Sequence, residues 1–258
     1  MSKIFGNKVY PELVKARGLS NALNFEFAKI NSAFRVSTDV NANLPVSYAR
    51  VENDNKFSQI YIGADEKLYL TDFWRDGVCL AHAHTGSISE LVNVVNFWLS
   101  QNSSTSMLAE KYRFVQPNEK AKAFDENNEV EYTWNCLLND DIFGLSEFIS
   151  LASKDEILSK LFPFTSLYTL CFSRCTGYPY DSDNLPTVTP KPFGQFTTQD
   201  GKSYSSPKAG SSQNEKIFIV TQNRKEYLGE GNAAAALKLV RDNLPHNISP
   251  AIKGIASD

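Results

Sequence analysis

The feature that most constrains this chain is a change in the period of its apolar residues near residue 86. Upstream, the runs 48–52, 57–62, 67–74 and 77–84 are short and rich in aromatic and β-branched residues, and they alternate apolar with polar positions. That alternation is the signature of strands with one buried face. The runs are separated by Asn53-Asp54-Asn55, Gly63-Ala64-Asp65 and Arg75-Asp76-Gly77, residues that supply the backbone conformations of tight hairpin turns. Downstream, Ile88, Leu91, Val92, Val95, Trp98 and Leu99 recur every three or four residues, and Ser87 with Glu90 makes a capping-box pattern ahead of them. The segment therefore predicts an antiparallel meander followed by a helix packed on one of its faces. The other face and the turns are left toward solvent.

The same order recurs later. The first forty residues read as helix broken at Gly18, and 107–138 read as largely helical with an interruption at 116–118, around Pro117, and a stretch, 129–138, that is ambiguous with strand. A helical pair at 145–152 and 154–161 ends before Pro163, because the residue preceding proline is driven from the helical region. Residues 165–174 read as strand, 177–214 as a long loop or short edge strands with a hairpin tip at 199–202, and 216–221 with 225–228 as a hairpin. A helix over 232–243, capped by Asn232 and stopped by Pro245, closes the chain. The expectation is an α+β fold of two lobes, each an antiparallel meander followed by a packed helix: residues 1–104, a helical connecting segment at 105–163, and residues 164–258.

Composition excludes several functional classes. Lysine and arginine number 26 against 29 acidic residues, a net charge of −3, so nothing draws the chain to a phosphate backbone and no nucleic-acid partner is expected. The first residues contain no apolar core of the roughly 7–15 residues that a secretory signal needs, which predicts a cytoplasmic protein. No apolar run approaches the ~20 residues of a membrane span. Cys79, Cys136, Cys171 and Cys175 are scattered, and a cytosolic setting keeps them reduced. The C-x3-C spacing of the last two lacks a partner pair for a tetrahedral zinc site.

Three constellations could carry chemistry. His82 and His84 are alternate residues of one strand and share a face, yet no Asp, Glu or third His stands at a spacing that completes a metal sphere, so no metal and no cofactor is expected. Ser173-Arg174-Cys175 ends an apolar strand and offers a thiol beside a cation. An enzyme built on this chain would use His82, His84, Arg174 and Cys175, but a strand end with a buried cysteine and an arginine paired to a core carboxylate is the better account of the pattern. None of the usual nucleophile-elbow, phosphate-loop, dinucleotide or zinc-protease motifs is present. The turn Trp74-Arg75-Asp76 groups residue types that serve as interface anchors, and these three are the expected partner-binding residues.

The segments YIGADEKLYLTDFWRDGVCLAHAHT, with the Ser87 helix after it, and LFPFTSLYTLCFSRCTGYPY resemble one bacterial family of unknown function, often labelled a natural-product biosynthesis protein. The resemblance spans residues ~60–180 and is most specific at FSRCTGYP. It implies no reaction and no catalytic residues. By type, a stand-alone cytoplasmic α+β chain without catalytic motifs is similar to the immunity proteins of bacterial toxin systems. The expected function is thus non-enzymatic binding and neutralisation of a cognate toxin that acts in the cytoplasm, with an enzyme of natural-product biosynthesis as the alternative.

Overall fold

The computed structural model describes residues 9–36, 47–100, 103–140, 144–191, 196–197, 203–204 and 216–258. The chain divides into two compact units, residues 1–127 and 128–258. Each contains a five-stranded antiparallel sheet with its strands in chain order. The fold is α+β with two sheet-containing lobes, as the periodicity predicts.

In the first unit, helices α1 (Pro11–Ala16) and α2 (Leu19–Lys29) precede the sheet. They are separated where Arg17 and Gly18 adopt positive φ, 63° and 135°, so the break falls at the glycine. Strands β1 (Tyr48–Asn53), β2 (Lys56–Ile62), β3 (Tyr69–Arg75) and β4 (Val78–Thr85) form the expected meander. The turn between β3 and β4 takes positive φ at both Asp76 and Gly77, the conformation that Asp-Gly favours because it matches the twist of the flanking strands. Ala49, Val51, Ile60, Tyr69, Phe73, Ala81 and Ala83 point to one face and are buried. Helix α3 (Ile88–Ser100) covers that face, with the Trp98 ring edge-on to Phe73 at 5.9 Å. Ser87 Oγ accepts from the Glu90 backbone N–H at 3.3 Å, but the Glu90 carboxylate accepts from the Thr85 hydroxyl, whose oxygen accepts from the Ser87 N–H. The cap is therefore a three-residue relay.

Helix α4 (Thr105–Lys111) is followed by a short fifth strand, β5 (Val115–Pro117), on the edge of β4, and by helix α5 (Ala121–Glu126). The stretch around Pro117, read from sequence as an interruption between helices, is thus a strand. Of the segment 105–163, these three elements lie in the first unit and the later helices in the second.

The second unit begins with α6 (Glu129–Asn139), α7 (Ser146–Ala152) and a 3-10 turn (Leu158–Lys160). The run ambiguous with strand, 129–138, is helix. Asp155 fixes the turn: its carboxylate accepts from the N–H groups of Ile157 and Leu158 and pairs with Arg241 at 2.6 Å. The expected single strand 165–174 is a hairpin, β6 (Phe162–Ser166) and β7 (Thr169–Ser173), turning at Leu167, which has φ of 54° and is exposed. Next comes β8 (Pro186–Pro190), which pairs with β7 and with β11 (Phe218–Gln222); β12 (Glu226–Gly231) completes the sheet. A two-stranded ribbon, β9 (Phe196–Thr197) with β10 (Ser203–Tyr204), lies between; the tip expected at 199–202 lies outside the described residues. The proline-rich segment 177–214 therefore contributes a central strand rather than loop or edge alone. Pro186 and Pro190 sit at the two ends of β8, where a missing N–H donor interrupts least. Helix α8 (Ala233–Asp242), capped by the Asn232 side chain through the Ala235 N–H at 3.0 Å, packs on β11 and β12. The core gathers Phe148, Phe172, Val188, Phe218, Val220 and Val240.

Candidate functional site

Opposite α3, the first sheet presents a second face built from the alternate residues of each strand: Tyr48 and Arg50, Phe57, Gln59 and Tyr61, Leu70, Asp72 and Trp74, and Cys79, His82 and His84. These side chains are half-buried or exposed. Phe57 and Trp74 are directly opposite in the register and stack with centroids 5.2 Å apart and planes 11° from parallel. The Arg50 guanidinium lies over the other side of Phe57 at 3.8 Å and is paired with Glu52. Tyr48 and Tyr61 pack at 5.2 Å, and Gln59 bonds both hydroxyls. The result is an aromatic ladder across three strands, held together by its own contacts.

Beside Trp74 the same face holds three groups of different chemistry. His82 Nδ1 lies 2.7 Å from Asp72 Oδ1, and the Cys79 sulfur lies 4.0 Å from Nδ1 and 3.9 Å from Nε2. Cys79 and His82 are three apart, a spacing that puts residues of a regular strand on opposite faces. A β-bulge brings them together. Phe73 and Trp74 of β3 pair with Ala81 and Cys79, so Leu80 is an extra residue in β4; Leu80 and Ala81 are both buried, and Cys79 and His82 both face outward. Bulges of this kind re-aim side chains and concentrate next to functional sites. Burial pushes the Cys79 thiol up to about 11, the Asp72 carboxylate adds to the rise, and the Asn118 amide and Lys120 act against it. At neutral pH the group is a thiol, so the Cys-His-Asp set lacks an activated nucleophile.

The turn residues expected to meet a partner separate. Trp74 is on the outward face, half-buried, with its indole Nε1 buried and without a hydrogen-bond partner. Arg75, the next residue of the strand, points to the other side and is 9% exposed; its Nη2 donates to the Phe124 carbonyl at 3.1 Å and to Asp125 at 2.9 Å. Asp76 is 8% exposed and accepts from the Asn55 amide. Both charged groups tie the hairpin to its own unit.

The residues of the possible enzyme site are divided between the units. His82 and His84 share a face of β4, as alternation requires, with His84 exposed. In the second unit Cys175 is 2% exposed, and its sulfur accepts from the Asp181 N–H at 3.2 Å. Arg174 pairs with Asp181 at 2.8 Å and donates to the Asp183 carbonyl. The second unit also has a cleft of about 490 Å³ bordered by Cys171, Asn184, Thr187 and Arg224. Burial raises the Cys171 thiol despite the Arg224 guanidinium 3.1 Å away.

The model of a family of unknown function, DUF6193, matches residues 128–215. That span includes FSRCTGYP but not the first sheet. No curated protein and no solved structure matches the chain. Among the described residues no helix is long and apolar enough to cross a membrane.

Proposed function

We propose that the chain is a non-enzymatic binding protein that neutralises a cognate bacterial toxin acting in the cytoplasm, with the outward face of the first sheet as its contact surface. The observation that carries this reading is the preassembled ladder of Arg50, Phe57 and Trp74 beside Tyr48 and Tyr61. Tyrosine, tryptophan and arginine dominate binding hot spots, and rings already stacked lose little side-chain freedom when a partner covers them. The Trp74 ring is half-buried on this face, so part of its surface is left for a partner to cover. An enzyme of natural-product biosynthesis using His82, His84, Arg174 and Cys175 has less support, since Cys175 is buried and Arg174 is held by Asp181.

The test is co-purification of the tagged chain with the products of its neighbouring genes, followed by titration of the captured partner. Trp74→Ala should weaken its affinity by about tenfold or more, ~1.4 kcal/mol, while leaving the circular dichroism spectrum intact. Undiminished affinity in that folded variant would move the contact off this face, and a captured partner that is a small-molecule-processing enzyme would favour the biosynthetic reading.

A further inference from the structure

The cluster of Asp72, Cys79 and His82 goes beyond protein recognition and does not depend on it. We infer that it is a zinc-class metal site with three protein ligands: the Asp72 carboxylate, the Cys79 thiolate and His82 through Nδ1. The three ligand atoms lie within 4.8 Å of one another. Around a tetrahedral zinc, with bonds of about 2.0–2.1 Å to nitrogen and oxygen and 2.3 Å to sulfur, neighbouring ligand atoms stand about 3.3–3.6 Å apart. The observed separations bracket that value, 2.7 Å between Asp72 and His82 and 4.0 Å between Cys79 and His82. A cation at their centre opens the first and closes the second by rotations of side chains that are only half-buried.

Three further features point the same way. The donor set of one thiolate, one imidazole and one carboxylate suits zinc and excludes magnesium and calcium, which take oxygen alone. The Asn118 amide donates to the Cys79 carbonyl at 3.0 Å and lies 3.9 Å from the sulfur, where an N–H donor supports a metal-bound thiolate. The bulge at Leu80 is what turns Cys79 onto the face of His82. On binding, the Cys79 proton leaves to solvent and the metal takes the sulfur lone pair. The fourth position faces outward beside His82, whose side chain is 45% exposed, and is open to water or to a donor from another molecule.

The test uses the full-length chain stripped with a chelator and titrated with cobalt(II), which reports a thiolate ligand through a near-ultraviolet charge-transfer band. One equivalent should develop the band, and zinc should displace it. Cys79→Ser should abolish the band, Asp72→Asn should weaken binding at least tenfold, and His84→Ala should leave both unchanged. Because a variant could unfold, the wild-type chain provides an independent readout. Zinc should protect Cys79, and not Cys136, from alkylation followed by peptide mass spectrometry. The absence of a band at stoichiometric cobalt, a band that survives Cys79→Ser, or equal alkylation of Cys79 with and without zinc would each overturn the assignment.

Discussion

In the first sheet, buried and more exposed side chains alternate along β2 and β3 and, on either side of its bulge, along β4, whereas in the second every residue of β8 and the first four of β11 are buried. Both are five-stranded, antiparallel and in chain order, and each has a helix on one face. The difference lies in the remaining face. In the first sheet it carries rings, an imidazole, a thiol and a carboxylate within reach of solvent. In the second it carries Thr169 paired with Thr189 and Thr187 paired with Thr221, each hydroxyl pair at 2.8 Å. Hydroxyls that satisfy each other are at rest. The half-buried Trp74 ring and the exposed His84 imidazole keep part of their surface in solvent. Equal topology therefore does not mean equal roles, and the site is to be sought where polar groups on a sheet have not been closed off internally.

The comparison breaks first at its core. Phe218→Ala should cost about 3–5 kcal/mol in the second unit, because the ring is fully buried against Phe148 and the cavity collapses only in part. Phe57→Ala, on the outward face of the first sheet, should cost well under half of that. Urea denaturation followed by backbone hydrogen exchange, which separates the units, is the measurement. Equal losses would mean that the outward face of the first sheet is as closed as the core of the second.

A sharper version concerns the threonines. Thr187→Val removes one partner of a buried hydroxyl pair and leaves the Thr221 hydroxyl without it, a loss of about 1–3 kcal/mol. The double variant Thr187→Val, Thr221→Val removes both hydroxyls and keeps the shape, so it should recover most of that stability. A double variant as unstable as the sum of the singles would show that these hydroxyls serve something other than each other.

Much of this contrast is legible in the amino-acid sequence. Alternation with hairpin residues between runs gives β1 to β4, and the capping pattern at Ser87 gives α3, because both depend on local periodicity. What escapes has local causes too. β5 is three residues long and contains Pro117, too short to show a period. β8 hides in a segment rich in turn formers, since two prolines at strand ends look from sequence like the edges of a loop. At the site, assigning Trp74, Arg75 and Asp76 together to a turn overlooks that Trp74 and Arg75 are consecutive strand residues and so must face opposite ways. The pairing of His82 with His84 follows the regular period of two, and the partner the structure supplies, Cys79, needs one extra residue that no periodicity announces. The only sequence hint is the doubled apolar pair Leu80-Ala81 inside an alternating run.

The smallest effect tests whether the ladder is a unit. Phe57 and Trp74 face each other across β2 and β3 with nearly parallel rings, and Arg50 caps the stack on β1. Aromatic pairs contribute about 0.5–1.5 kcal/mol beyond the area they cover, and an exposed cation over a ring adds roughly 0.5–1 kcal/mol. A double-mutant cycle of Phe57→Leu with Trp74→Leu should therefore give a coupling energy near 1 kcal/mol in the free protein, a typical value for neighbours in contact. Leucine keeps apolar volume on both strands, so the cycle reports ring against ring rather than the loss of bulk. With Arg50→Met in the background the coupling should fall, because the guanidinium no longer holds the Phe57 ring flat against Trp74. A coupling indistinguishable from zero would mean that the rings move independently in solution, and the low entropic cost of binding argued for this face would lose its physical basis.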